Sequence, residues 1–320
     1  MNAPIVETSL LGDGLSTFEQ NILRVLLYFN IFDHPLTAKE VHSFLPSNSV
    51  TVGDVARALE SDSLQVFVRS RQGYFFLNSA SEACTEERRQ KELLARKRIR
   101  TAIAVARFIR LFPFVRAVML SGELSKGVAS HNSDIDFVIV TKARRLWICR
   151  SLLILFKKVF LLNSRKNFCL NHFIAEDYLE VQLRNIYSAT ELATLKPLAD
   201  PGRYVDYMKA NPWIRKFFPN WKMEPVGVKD MGNTSKAVQR SLEGIVPNRF
   251  GDRLDAWLLQ KWQRIWRRRY SHLTEEERKH KFRSDPSIST AYGVDFQEKV
   301  LVQYGRQLQE YGLSALEHRN

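Results

Sequence analysis

Apolar positions recur at helical spacing in the first third of the chain and at strand spacing near its centre. Ile22, Val25, Leu26 and Phe29 follow a Ser16-x-x-Glu19 capping box, which predicts a helix over Phe18–Phe32. Pro35 interrupts it. Thr37-Ala-Lys-Glu40 caps a second helix through Val41, Phe44 and Leu45 to Pro46, and a third starts near Thr51, with Asp54 three residues on, and buries Val55, Ala56 and Leu59. Leu64–Val68 and Gly73–Leu77 read as the strands of a hairpin turning at Ser70-Arg-Gln-Gly73. Ala95, Ile99, Ala102, Ile103, Ala106 and Ile109 form the stripe of a longer helix, with Arg96, Arg100 and Arg107 off the stripe. Val115–Leu120 and the apolar run around Ile135 read as strands, Leu146–Leu162 as a helix packed on them, and Phe168–Ile174 as a further strand. Glu176, Asp177 and Glu180 are expected on a turn and a returning strand.

Beyond that centre the pattern becomes helical. Asn211-Pro-Trp213 and Phe217–Asn220 mark turns, and Glu224–Thr234 reads as a polar linker. Arg249–Arg269 is amphipathic, a short helix starts at Thr274-Glu-Glu-Glu277, and a last one covers Phe296–Tyr311. The expectation is an α+β protein in three parts: a three-helix and hairpin domain over 1–80, a mixed-sheet core over 81–200, and a helical C-terminal region over 201–320.

The candidate chemistry lies in LSGELSKGVASHNSDIDFVIVT, Leu120–Thr141. Strand residues alternate faces, so Asp134 and Asp136 point one way and Ile135 the other. Two carboxylates so placed can share a hard cation such as Mg²⁺, which takes oxygen ligands and bridges to substrate phosphates. The Ser-Gly turn after Leu120 supplies free backbone N–H groups, with Ser121, Gly122, Ser125, Lys126 and Ser133 as candidate phosphate-binding residues. Glu123 sets a negative charge beside them. Asn171, central in the following strand, can ligate or hydrogen-bond but cannot serve as a base near neutral pH. An isolated Asp-x-Asp pair is more often a solvated loop or a helix cap; the flanking strands and the turn raise it above that.

A glycine followed, about ten residues later, by Asp-apolar-Asp-apolar resembles the signature of the polymerase-β-like nucleotidyltransferase superfamily. Two departures stand out: Glu123 replaces the small residue expected after Gly122, and Asn171 stands where a third acid is expected. Three short helices and a hairpin are the order of a winged helix. The strings LYFNIFDHPLTAKEV, RRLWICR, CLNHFIAEDYLEV and YSATELATLKPL resemble a group of bacterial nucleotidyltransferase-domain proteins with an N-terminal winged helix, over about Leu15–Trp221. In that group Asn at the position of Asn171 is usual. The resemblance implies a nucleoside triphosphate substrate, Mg²⁺ or Mn²⁺, metal ligands Asp134 and Asp136, and transfer of a nucleoside monophosphate to an unidentified hydroxyl on RNA, protein or a small molecule. The alternative is a weak or inactive relative that senses nucleotides or regulates through its winged helix.

Charge adds a second theme. Lys and Arg number 48 against 34 Asp and Glu, a formal +14. Glu86–Arg116 holds ten basic and three acidic residues, and Lys261–Arg283 nine and three. Such patches attract phosphate backbones, RNA included, although a solvated helix face looks the same in sequence. Trp257, Trp262 and Trp266, beside Arg264, Arg267, Arg268 and Arg269, could stack on bases, but tryptophans at helical spacing are more often core. The third helix carries Arg57 against Asp54, Glu60 and Asp62, a poor balance for reading DNA. Cys84, Cys149 and Cys169 show no paired spacing, the first residues lack a signal-peptide pattern, and Leu146–Leu162 is broken by Arg150, Lys157 and Lys158. These features lead to the expectation of a cytoplasmic protein with no membrane partner.

Overall fold

The computed structural model of the chain describes residues 14–162, 166–223, 232–290 and 296–315. Helices α1 (Thr17–Asn30), α2 (Ala38–Ser43) and α3 (Val52–Leu59) each begin at the expected capping box, on Ser16, Thr37 and Thr51. The hairpin starts later than expected. Ser61 accepts the Leu64 N–H at 3.4 Å and caps a helical turn, α4 (Asp62–Gln65), which buries Leu64 completely. The strands are β1 (Val68–Arg71) and β2 (Tyr74–Leu77), joined by Gln72 and Gly73, both at positive φ as a tight two-residue hairpin turn requires.

Helix α5 (Ala83–Arg110) carries the chain from this N-terminal unit to the sheet. Its buried Arg88 reaches back to Glu40 at 2.7 Å and the Pro35 carbonyl at 3.1 Å, and along its own helix to Glu92 at 2.8 Å. A buried guanidinium so held ties the helix rigidly to the unit, since breaking either pair would strand a charge.

Next come β3 (Val115–Ser121), α6 (Gly122–Ser125), β4 (Asp136–Thr141), α7 (Leu146–Phe160) and β5 (Cys169–Ala175). They are followed by α8 (Ile186–Thr194), β6 (Lys196–Ala199), α9 (Pro201–Lys209) and α10 (Ile214–Phe217). The chain continues through α11 (Asn233–Gly244), α12 (Asn248–Arg269), α13 (Glu275–Lys281), β7 (Ile288–Thr290) and α14 (Phe296–Glu310). The five-stranded sheet runs β6-β3-β4-β5-β7. Only β4 and β5 are parallel, because α7 crosses over between them. Val118, Leu120, Phe137, Ile139 and Phe173 face a core shared with α5, α7 and α12. Ala117, Met119, Val138, Val140 and Ile174 face one shared with α8, α9 and α10.

Three expectations need correction. Glu176 and Asp177 do lie on a turn, but no strand returns over Tyr178–Asn185; the next strand, β6, joins the far edge beside β3. The strand that does return along β5 is β7, three residues long and too short to show a period, inside a region expected to be all helix. Of the expected linker, residues 224–231 lie outside the described residues, and the end of it, from Asn233, is already helix.

The last helix belongs to the first unit's core. Val300, Tyr304, Leu308 and Leu313 pack with α1, and the Tyr304 ring stands edge-on to Tyr28 at 5.4 Å. Helix α12 also acts at a distance: Asp255 accepts the Ile148 N–H at 2.8 Å, capping α7, whose own N-cap residue Arg145 makes no side-chain cap. Among the described residues, no helix is long and apolar enough to cross a membrane.

Candidate functional site

Strand β3 ends at Ser121, which lies opposite Asp136 in the ladder, and the chain turns at Gly122 with φ of 71°. That conformation suits glycine, and space demands it as well: a Cβ here would sit 2.6 Å from Asp136 Oδ2. Asp134 lies just before β4. Ile135 between the aspartates is fully buried; its N–H donates to the Lys166 carbonyl at 3.0 Å and its carbonyl accepts from the Cys169 N–H at 3.2 Å. The backbone is therefore already aligned with the start of β5, and both aspartates lie on the partly exposed side.

Burial pushes the Asp136 carboxyl above its ordinary range; the Cys169 thiol opposes this by donating to it, while the charges of Asp134 and Glu191 raise it further and Lys126 lowers it. Burial first, and then the Asp136 charge beside it, keeps Cys169 a protonated donor. Asn171 Nδ2 donates to Cys169 Sγ at 2.9 Å. The ladder between β4 and β5 slips by a residue between Cys169 and His172, and Asn171 sits in that irregularity. It is linked to Asp136 through Cys169.

The remaining expected residues divide. Lys126 Nζ approaches the Gly122 carbonyl at 3.4 Å and pairs with Glu191 of α8 at 2.7 Å. Ser125 is 1 % exposed and donates to the Gly122 carbonyl at 2.8 Å, so it closes the turn and offers nothing to a ligand. Ser133 donates to the Ser130 carbonyl at 3.0 Å and accepts from Arg98 at 2.8 Å. Glu123 accepts both the N–H and the hydroxyl of Ser130, at 3.1 and 3.0 Å, which engages its charge in the loop. The structure thus gathers Ser121, Gly122, Lys126, Asp134 and Asp136, keeps Asn171 one contact behind, and uses Ser125 and Ser133 to shape the turn.

Cys169, Glu191 and Arg98 were not singled out from sequence. Cys169 had a signal, standing two residues before Asn171 on a strand. Glu191 had none, because it comes from a helix on a different part of the chain. Arg98 donates to the carbonyls of Ser130 and Lys166 at 3.2 and 3.1 Å, clamping the loop before Asp134 to the start of β5.

Two adjacent carboxylates suit Mg²⁺, which keeps several waters and is often held by one or two carboxylates plus substrate phosphates. Among the described residues no group of three or more His, Cys, Asp or Glu is placed to ligate one ion. Mutual repulsion of Asp134 and Asp136, which raises Asp136, is what a shared cation relieves.

Three arginines of the first unit that could meet a nucleic-acid backbone are engaged. Arg57 pairs with Asp54, and Arg69 and Arg71 of the hairpin meet Glu82 at 3.4 and 3.3 Å. Of the three tryptophans on α12, Trp266 is buried, Trp262 donates to Ser151 at 2.9 Å, and Trp257 is half exposed beneath Lys261. Comparison with protein-family models, with curated proteins and with solved structures finds no match for this chain.

Proposed function

We propose that the protein is a Mg²⁺-dependent nucleotidyltransferase with a polymerase-β-like core and an N-terminal winged helix. The observation that carries this reading is the approach of the Gly122 backbone to Asp136, with Asp134 on the same side: a left-handed glycine turn set against a carboxylate pair. Mn²⁺ could replace Mg²⁺.

The bound cation would neutralise charge building on the phosphoryl oxygens. Asp134 and Asp136 hold it, and the N–H groups of the Ser121–Gly122 turn orient the triphosphate tail. The acceptor hydroxyl oxygen bonds to the α-phosphorus, the bond from that phosphorus to the bridging oxygen breaks, and pyrophosphate leaves with the electron pair. The hydroxyl proton passes to a nearby base, for which Glu191 is the free-standing carboxylate of the site once Lys126 turns toward phosphate. Transfer of this kind depends mainly on position and charge, so Asn171 in place of an acid does not preclude it.

Lys126 being committed to Glu191, together with Asn171, favours a second reading, in which the fold binds a nucleotide without transferring it and acts as a sensor or regulator. Incubation with each α-labelled nucleoside triphosphate and Mg²⁺ or Mn²⁺, with label scored on the protein and on added RNA, separates the two. Label that vanishes in Asp134→Asn with Asp136→Asn supports transfer. Binding without label supports the sensor, and neither binding nor label sinks both.

A further inference from the structure

One helical layer is nearly free of carboxylates. Residues 93–122, 137–175 and 256–274 contain no Asp or Glu. They supply the second half of α5, all of α7 and most of α12, the helices that cover one face of the sheet. The inner side of α7 is buried through Leu146, Cys149 and Leu153, as expected. Its outer side is apolar too, with Leu152 37 %, Leu155 59 % and Val159 58 % exposed, and at its C-terminal end Phe160, on the stripe of Leu153, is left 69 % exposed. The Phe156 ring, which stacks on Phe160 at 4.9 Å, also meets Phe108 of α5 at 4.9 Å, so the patch runs from one helix to the next. Arg100, Arg107, Lys158 and Lys166 are exposed in the same acid-free stretches. A helix apolar on both sides has a second surface to bury.

We infer that, against the sequence expectation of no membrane partner, this face docks on an anionic lipid surface, with α7 lying in the plane of the headgroups. A second copy of the chain would bring two basic, carboxylate-poor surfaces together with little to neutralise them. A nucleic-acid strand would answer the charge but leave Leu155, Val159 and Phe160 in water. An anionic bilayer answers both, through its surface potential and its acyl boundary. Helix α7, at 15 residues and carrying Lys157 and Lys158, is suited to lie on a bilayer and not to span it. The inference does not rest on the nucleotidyltransferase reading. Asp136 shares its side of β4 with Val138 and Val140, which face α8–α10, so docking on the α7 side leaves the aspartates on the opposite face of the sheet.

The test is co-sedimentation of the full chain with vesicles of phosphatidylcholine alone or mixed with phosphatidylglycerol. Sedimentation is expected with the mixed vesicles only, and it should weaken as salt rises. Leu155→Asp with Phe160→Asp should reduce the association constant at least about tenfold with an unchanged melting temperature. Arg107→Gln with Lys158→Gln should reduce it several-fold, which a purely apolar contact would not show. No sedimentation with either vesicle overturns the inference. So does a dimer in sedimentation velocity that the Asp pair dissociates, which would assign the face to a second copy. Binding to a single-stranded oligonucleotide that the Gln pair abolishes and the Asp pair leaves intact would assign it to nucleic acid.

Discussion

At Gly122 the backbone passes so close to Asp136 that the missing side chain is part of the site. Gly122→Ala must meet both the 2.6 Å contact and a φ of 71°. It should cost about 1–3 kcal/mol in urea unfolding and remove Mg²⁺-dependent nucleotide binding in calorimetry; unchanged binding would mean the turn does not face the ligand. Glu191 offers a second residue-scale test. Glu191→Gln frees Lys126 and removes a negative charge, so triphosphate affinity should rise while single-turnover transfer falls; a fall in both would place Glu191 in structure alone. Gly122, Asp134 and Asp136 were legible because their relation is local, a turn and an alternating strand. The hydroxyls of Ser125 and Ser133 looked equally available in sequence, but backbone carbonyls a few residues away claim them. Glu191 reaches the site only through tertiary packing, which no spacing encodes.

Helix starts follow the same division. Boxes at Ser16, Thr37, Thr51 and Thr274 form as read, since each closes within four residues. The start of α7 carries no such signal and is capped instead by Asp255 from α12. Burial raises the Asp255 carboxyl from an ordinary 3.8 to about 6, despite the N–H groups of Ile148 and Trp147, which lower it. The folded state therefore holds this proton more tightly than the unfolded chain. Stability drawn from it is present below about pH 4, declines as pH rises through about 6, and stays low above. Asp255→Asn keeps an acceptor for Ile148 without titrating. Measured by urea midpoints, its stability relative to the parent should climb between pH 4 and pH 7; a relative loss over that range would mean the ionised carboxylate supports the helix. The strand β7 was missed for a related reason: three residues supply a pairing partner for β5 but no periodicity.

For the molecule as a whole, contiguous segments were legible and the contacts that close them were not. The division into 1–80, 81–200 and 201–320 follows composition and period, yet α14 is part of the first unit's core and β7 is part of the central sheet. Tyr304→Ala, which removes a buried ring and its hydrogen bond to the Arg24 carbonyl at 3.3 Å, should cost about 3 kcal/mol in urea unfolding. The segment Ser16–Asn78 alone should show little cooperative melting by circular dichroism. A sharp transition in that fragment would make the α14 contact dispensable. Arg24 also donates to the Ser314 carbonyl at 3.1 Å, which joins the two extremes of the described chain. That contact sets a schedule on the ribosome. At about 5–20 residues per second, Tyr304 emerges roughly 15–55 s after Tyr28. Throughout that interval α1 displays an apolar flank with nothing to cover it, so a nascent chain stalled before α14 is a natural client for chaperones and proteases.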